Sequence, residues 1–363
     1  MRVLFAPDSF GGTLTAVEAA TAMAEGWRRR APDDDLVLVP MSDGGPGFVD
    51  VLHASLGGEL LSVTVLDQYG DETPTGVLMV EDTAYVESAQ ACGLHLSDRR
   101  DPERGTSFGV GQMIGAAIDD GARRVIVGLG GSGTNDGGAG MLAALGATAS
   151  PDEALVGGPH ALELVERVDL AGVHERCEGI ELVIATDVDN PLLGLRGATN
   201  VYGPQKGVTE DRKQHLDAQL ERLADLTDRQ VADGKGAGAA GGLGFALLLA
   251  GATRVGGVDV VAEAVGLADL CRAADLVVTG EGAFDFQSRS GKVPYGVAAV
   301  AAAAIRPCIA LAGQVLVGSR EMRALGVESA YAMVDLVGKE AALGEPHTSL
   351  AALAERVART WSR

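Results

Sequence analysis

The sequence predicts an α/β protein of two domains. One is a discontinuous parallel domain of flavodoxin or Rossmann type, built from both ends of the chain; the other is a mixed α/β domain inserted between them. Three observations carry this. At both ends, short apolar runs terminate in acid- or glycine-bearing turns and are followed by helical stretches, the alternation of a parallel sheet. In the middle, residues 61–66, 76–80 and 84–87 alternate apolar and polar and are joined by short polar turns, which marks antiparallel pairing. A chain of 363 residues, 47% hydrophobic and with 51 glycines, is long enough for two cores. The boundaries fall near Leu66 and Ala274. Residues 1–66 plus 275–363 form the parallel domain, and 67–274 form the insert carrying the glycine-rich loops.

Residues 2–6 form the first strand, which ends at Pro7-Asp8-Ser9-Phe10. Gly11 and Gly12 follow, and Thr13 or Thr15 caps a helix reaching about Arg30. The strand over 36–40 ends at Met41-Ser42-Asp43-Gly44-Gly45-Pro46-Gly47 before another helix. Ligands of open parallel sheets bind at the carboxyl ends of strands, so Asp8, Ser9 and Asp43 share one candidate rim. Asp8 and Ser9 could instead be ordinary turn and capping residues, but both turns sit where ligands of such sheets bind, which favours function.

After the antiparallel excursion, a helix over 109–119 leads to the strand Val125-Ile126-Val127. Residues 154–173 read as loop and short helix, and 181–185 as a strand ending at Thr186-Asp187-Val188-Asp189-Asn190-Pro191. A helix spans about 210–230. The glycine cluster at 236–244 then enters an apolar helix, which argues against a flexible linker. Strands return at 276–279, 308–312 and 330–334, with an alanine-rich helix over 296–304.

Composition excludes several classes of function. With 29 basic and 50 acidic residues the net charge is −21, and no basic stripe stands out, so nucleic acid and anionic membrane are poor partners. Aromatic residues are 4%, too few for base-stacking platforms. Cys92, Cys177, Cys271 and Cys308 form no Cys-x-x-Cys pair and read as reduced thiols of a cytoplasmic protein. The six histidines lack zinc spacing. The first 30 residues have no signal-peptide pattern, and no apolar run reaches membrane-spanning length.

The densest signal is the stretch 125–140, VIVGLGGSGTNDGGAG, where a buried strand empties into glycines and then a helix. Glycine lets backbone N–H groups converge, and a following helix adds its positive end, so the loop is a candidate phosphate cradle. Ser132, Thr134 and Asn135 add neutral donors, and Asp136 could hold a metal. The bland reading is a tight strand-to-helix turn. Gly128–Gly133 also fits G-x-G-x-x-G, but the helix starts late and no acid-ended strand follows at dinucleotide spacing. Gly105–Gly109 fits the hydrolase elbow G-x-S-x-G, yet SDRRDPER before it cannot be a buried strand.

What remains is a set of strand-end acids, two glycine loops and a few lysines. Carboxylates without histidine suit magnesium, which takes one or two of them together with phosphate oxygens. A phosphoryl acceptor needs a carboxylate to receive its proton and a cation for the phosphates. Neither a Walker A loop nor the protein-kinase motif set is present, so the inventory fits a small-molecule kinase of another class.

At this point a resemblance becomes specific. Residues 6–10 (APDSF), Asp43-Gly44-Gly45, 130–142 (GGSGTNDGGAGML), 187–192 (DVDNPL), 203–207 (GPQKG), 236–244 (GAGAAGGLG), 279–282 (TGEG) with Asp285, and Gln287-Ser288 with Gly291-Lys292 resemble the glycerate kinase type 1 family, in order over essentially the whole chain. The resemblance implies a two-domain α/β enzyme that transfers phosphate from ATP to D-glycerate with magnesium, usually at the 2-hydroxyl.

On this reading Asp187 receives the acceptor proton, with Lys206 and Lys292 as catalytic cations. Asp8, Ser9, Asp43, Phe284 and Arg289 frame the acceptor. Gly130, Gly131, Ser132, Gly133, Thr134, Asn135, Gly241 and Gly242 hold the nucleotide, and Asp189, Glu281 and Asp285 hold the metal. The partner is a small hydroxy acid or polyol, and a homodimer stays open as the assembly.

The chain departs from the family pattern at four positions. Gly11 stands for a lysine, Pro46 for a glutamate, Ala283 for an arginine, and Phe284 brings apolar bulk. These departures point to weak glycerate binding or to a less acidic acceptor. A nicotinamide oxidoreductase built on Gly128–Gly133 and a non-catalytic relative are the other readings.

Overall fold

The structure is a computed structural model, and it describes residues 1–285 and 292–362. Arg289, expected at the acceptor, lies outside the described residues. In chain order the strands are β1 (Arg2–Phe5), β2 (Asp35–Leu38), β3 (Glu59–Leu66), β4 (Glu72–Val80), β5 (Thr83–Glu87), β6 (Arg124–Gly128), β7 (Thr148–Ser150) and β8 (Arg167–Asp169). They continue as β9 (Glu181–Ala185), β10 (Thr253–Val255), β11 (Leu276–Thr279), β12 (Ala283–Phe284), β13 (Cys308–Ala312), β14 (Gln314–Val315) and β15 (Ser329–Ala332). The chain divides into two compact units. The first comprises Met1–Asp43, Asp50–Gly57 and Gly256–Arg363; the second comprises Gly44–Val49 and Gly58–Val255.

The first unit is built on a five-stranded sheet in the order β15-β13-β11-β1-β2, every pair parallel. Counted within the unit this is the doubly wound order 2-1-3-4-5, whose switch point lies between β1 and β11. The strands are nearly continuous apolar runs because helices cover them. The helix Ala16–Arg30 starts at a capping box in which Thr15 and Glu18 satisfy each other's backbone N–H. Trp27 of this helix is fully buried edge-on to Phe5, with ring centroids 5.7 Å apart. Gly26 lets the helix meet Pro346–Trp361 closely; a Cβ there would stand 1.9 Å from the Ala351 carbonyl oxygen.

The second unit holds a six-stranded sheet in the order β10-β9-β6-β5-β4-β3. The pairs β10·β9, β9·β6 and β6·β5 are parallel, whereas β5·β4 and β4·β3 are antiparallel. The sheet is therefore mixed, as the change of texture at 61–87 leads one to expect. Val125, Val127, Leu182 and Ile184 are buried in one core with Val110, Met113 and Ile114 of the helix Phe108–Asp119.

Both domain boundaries differ from the sequence reading. β3 pairs with β4 from Glu59↔Met79 to Leu66↔Glu72, so the whole strand follows its ladder into the second unit and the division falls at Gly57/Gly58. The helices Gly257–Ala264 and Leu267–Ala273 belong to the first unit, which moves the other division from Ala274 to Val255/Gly256. Two elements also differ. The long helix stops at Leu226, and Asp228 caps a separate turn by accepting from the Gln230 and Val231 amides. β15 ends at Ala332, where the chain turns helical over Met333–Val337. No helix among the described residues is long and apolar enough to cross a membrane.

Ile305 follows the helix Val293–Ala303 with φ +56° and is 89% exposed. Left-handed backbone costs an L residue about 1–2 kcal/mol, most for a β-branched one, and glycine is the usual occupant of this position. Ile305→Gly is expected to raise unfolding free energy by about 0.5–1 kcal/mol, read from denaturant midpoints at unchanged m value.

Candidate active site

In the first unit β1 and β11 go on pairing past their ends. The Ala6 amide donates to Val278 O at 2.7 Å, the Asp8 amide to Gly280 O at 2.8 Å, and Thr279 Oγ1 to Ala6 O at 2.9 Å. This zipper sets Asp8 and Glu281 side by side at the switch point, and the Met41 amide on Pro7 O (2.9 Å) draws the turn before Asp43 to the same rim. Burial and the neighbouring carboxylates of Asp43 and Glu281 push the Asp8 carboxyl up to about 7, against the Ser9 amide that donates to its Oδ1 at 2.7 Å. Lys292, half-buried, brings its ammonium to 3.7 Å from Glu281. The sequence-predicted Asp8, Ser9, Asp43, Glu281 and Lys292 thus gather at one end of one sheet.

Phe284 does not join them. It is fully buried, paired in β12 against Val315 of β14, so it packs the core instead of facing an acceptor. An apolar residue after a glycine turn carries no sign of which way it points, and the partner strand β14 is two residues long.

In the second unit β6 and β9 deliver the glycine loop and Asp187 from neighbouring parallel strands. The Leu129 amide donates to Ala185 O at 3.0 Å, and the Thr186 hydroxyl to Leu129 O at 3.3 Å. Asp187 is half-buried beside the loop. Lys206 is buried; its Nζ donates to Ser132 Oγ at 3.0 Å and to Thr134 O at 2.6 Å. Burial pulls its pKa down to about 8, and among the described residues no carboxylate stands within ion-pair distance of it. The adjacent Cys92 thiol is pushed up to about 12 by burial and is inert. Asn135 Nδ2 donates to Thr199 Oγ1 at 3.0 Å, while its buried Oδ1 has no partner among the described residues. A buried ammonium with a third N–H to give, next to an unused amide oxygen, fits an anionic, hydroxylated ligand such as a nucleotide.

The glycines themselves do something other than expected. The space a Cβ would take is filled by protein: at Gly130 by Gly45 Cα (2.6 Å), at Gly131 by the Pro46 ring (2.7 Å), and at Gly133 by Gln68 Oε1 (2.2 Å). The second cluster packs onto the first, with Gly241 against Thr134 O (1.9 Å from the Cβ position) and Gly242 against Gly137 Cα (2.4 Å). Several loop amides are also spent inside the protein. Gly133 N donates to Cys92 O at 2.6 Å and Gly137 N to Gly241 O at 3.0 Å. A side chain at these positions would test the packing of the loop before it tested any ligand. The helix Ala139–Ala144 is too short to supply an anion site at its start.

Asp136 is no metal ligand. Fully buried, it accepts from the Ser107 amide and hydroxyl (2.8 Å each), the Gly138 amide (3.0 Å) and the Gly140 amide (3.2 Å), while Ser107 Oγ accepts from Met141 N at 3.0 Å. This hub fixes the exit of the loop. Sequence reasoning missed Ser107 and Gln68, although an aspartate two residues before glycine amides is a recognisable capping signal.

Asp189 leaves the metal set too, since its exposed carboxylate already carries Arg254 at 2.7 Å and Lys235 at 3.9 Å. Among the described residues no three His, Cys, Asp or Glu side chains converge as a metal cage. That leaves the carboxylates of the Asp8, Asp43 and Glu281 rim, with Asp285 following β12, to offer one or two donors to a hard ion. Magnesium asks for only one or two such carboxylates.

The dinucleotide reading fails on topology. Ten residues of loop separate β6 from its helix, and β7 pairs antiparallel with β8 instead of extending the sheet. Strand-end carboxylates and a rim lysine in the first unit, and a braced loop with a buried cation in the second, each suit a phosphotransferase with an alcohol group as acceptor. The chain belongs to the glycerate kinase family, whose model matches residues 3–362.

It is 41% identical over 345 residues to a glycerate kinase of Bacillus subtilis (strain 168), covering 92% of this chain and 90% of that one. It is 38% identical over 350 residues to the glycerate 2-kinase of Escherichia coli (strain K12), covering 93% and 92%. A crystal structure from Salmonella typhimurium LT2, provisionally assigned as glycerate kinase 2, superposes with TM-score 0.83 at 36% identity, covering 99% of this chain and 98% of that one.

The raised pKa of Asp8 has a measurable cost. Its protonated form is favoured in the folded protein, so stability falls as pH rises from the unfolded value near 4 through about 7 and is level above it. Asp8→Asn is therefore expected to be more stable than the wild type at pH 8, with an advantage that shrinks towards pH 4. Denaturant midpoints at the two ends of that range check this.

Proposed function

We propose that the chain transfers the γ-phosphoryl group of ATP to the 2-hydroxyl of D-glycerate, with magnesium. The observation that carries this is the rim where Asp8, Asp43 and Glu281 meet Lys292 at the switch point of the parallel sheet. Magnesium, when bound, would neutralise phosphate charge, and Glu281 and Asp285 are the carboxylates suited to hold it. Asp187 takes the hydroxyl proton as the acceptor oxygen bonds to phosphorus and the bond to ADP breaks. Lys206 acts by holding Ser132 and Thr134 in place, and the nucleotide phosphates lie against that loop.

The glycerate carboxylate is held by Lys292. This supplies charge that Gly11 and Ala283, standing where the family has lysine and arginine, do not. A less acidic acceptor is the second reading, favoured by those two missing cations. Protection from thermal unfolding by ATP with magnesium but not by NAD, together with ADP release dependent on D-glycerate and 2-phosphoglycerate as product, tests the function. Glycerate-independent turnover, or a better polyol acceptor, would replace it.

Two substitutions separate the roles. Asp187→Asn should lower kcat by about a hundredfold or more while ATP affinity, read by calorimetry, changes little. Lys292→Met removes a charge-assisted contact of about 1.5–3 kcal/mol, so KM for glycerate should rise about 10- to 150-fold with KM for ATP unchanged.

A further inference from the structure

Sheet edges invite pairing with other chains, and proteins blunt them by shortness, charge, proline or bulges. Among the described residues the two larger sheets have four edges, and three are short: β2 and β15 have four residues each and β10 has three. The fourth, β3, has eight, ELLSVTVL, with no proline, no lysine or arginine, and an unbroken register against β4. On its outer face Leu60 is 44% exposed, beside exposed Ser62 and Thr64. Among the described residues no strand pairs on its free side. The edge closes only at Leu66, whose amide donates to Gln112 Oε1 at 2.8 Å and whose carbonyl packs on Gly109. The open stretch is thus 59–65, and its midpoint is Ser62.

We propose that the free edge of β3 pairs antiparallel with β3 of a second copy of this chain, about a two-fold axis at Ser62. Self-pairing across a two-fold axis keeps outer face to outer face, so Leu60 lies opposite Thr64 of the copy, Leu61 opposite Val63, and Ser62 opposite itself. The stretch carries one charge, Glu59, which this register sets opposite Val65 and not against its like. A ladder this short buries less than a standard interface, and two chains of net charge −21 repel, so the dimer is weak and tightens as salt rises.

Sedimentation velocity on the full chain, from low to high micromolar concentration and at two ionic strengths, should show mass doubling that grows with salt. Ser62→Lys sets two ammonium groups face to face and should remove the dimer. Ser62→Cys should cross-link under mild oxidation against a clean background, because the four native cysteines are buried. Thr64→Cys, displaced from the axis, should not. A wild type that stays monomeric, a Ser62→Lys protein that dimerises as before, or a Thr64→Cys protein that cross-links as readily as Ser62→Cys overturns the proposal.

Discussion

Both units depend on one constraint, the contact of backbone with backbone where a Cβ is missing. In the first unit a Cβ on Gly280 would stand 2.0 Å from Leu311 O, and one on Gly313 would stand 2.4 Å from Gly282 O. These contacts hold the turn that carries Glu281. In the second unit the same relation joins Gly241 to Thr134 and Gly244 to Gly236. Interiors pack at near-crystalline density, so an added carbon at such a place cannot be absorbed without moving main chain. At these positions glycine is less a sign of flexibility than of closeness.

Around those contacts the sites store unfavourable charge. Asp8 sits among carboxylates and Lys206 is buried, and each is held in a protonation balance that water would not give it. Such groups weaken a fold and are kept where they serve binding or proton transfer. Asp136 is the opposite case. It is fully buried, yet its four hydrogen bonds make it a fastening.

Much of this was legible beforehand. Strands ending in Asp8, Asp43 and Glu281 announced a carboxyl-end rim, because strand, turn and helix each leave a local signal. The ladder that carries β3 into the second sheet was not legible, since pairing is a long-range choice among similar apolar runs. The surroundings of Phe284 and of the loop glycines were not legible for one shared reason. A sequence shows that a position is apolar or lacks a side chain, but not whether protein or ligand comes to meet it.

The strand order has a consequence for synthesis. β1 and β2 leave the ribosome early, yet the neighbour that completes their sheet, β11, starts only at Leu276. At cellular elongation rates the interval from residue 38 to residue 276 lasts roughly 10–50 s, long enough for an insert of its own core to fold. For that time Val3, Leu4 and Phe5 have β2 to pair with but no β11 on their other side, and a chaperone that shields exposed apolar strands would meet this chain at its most vulnerable.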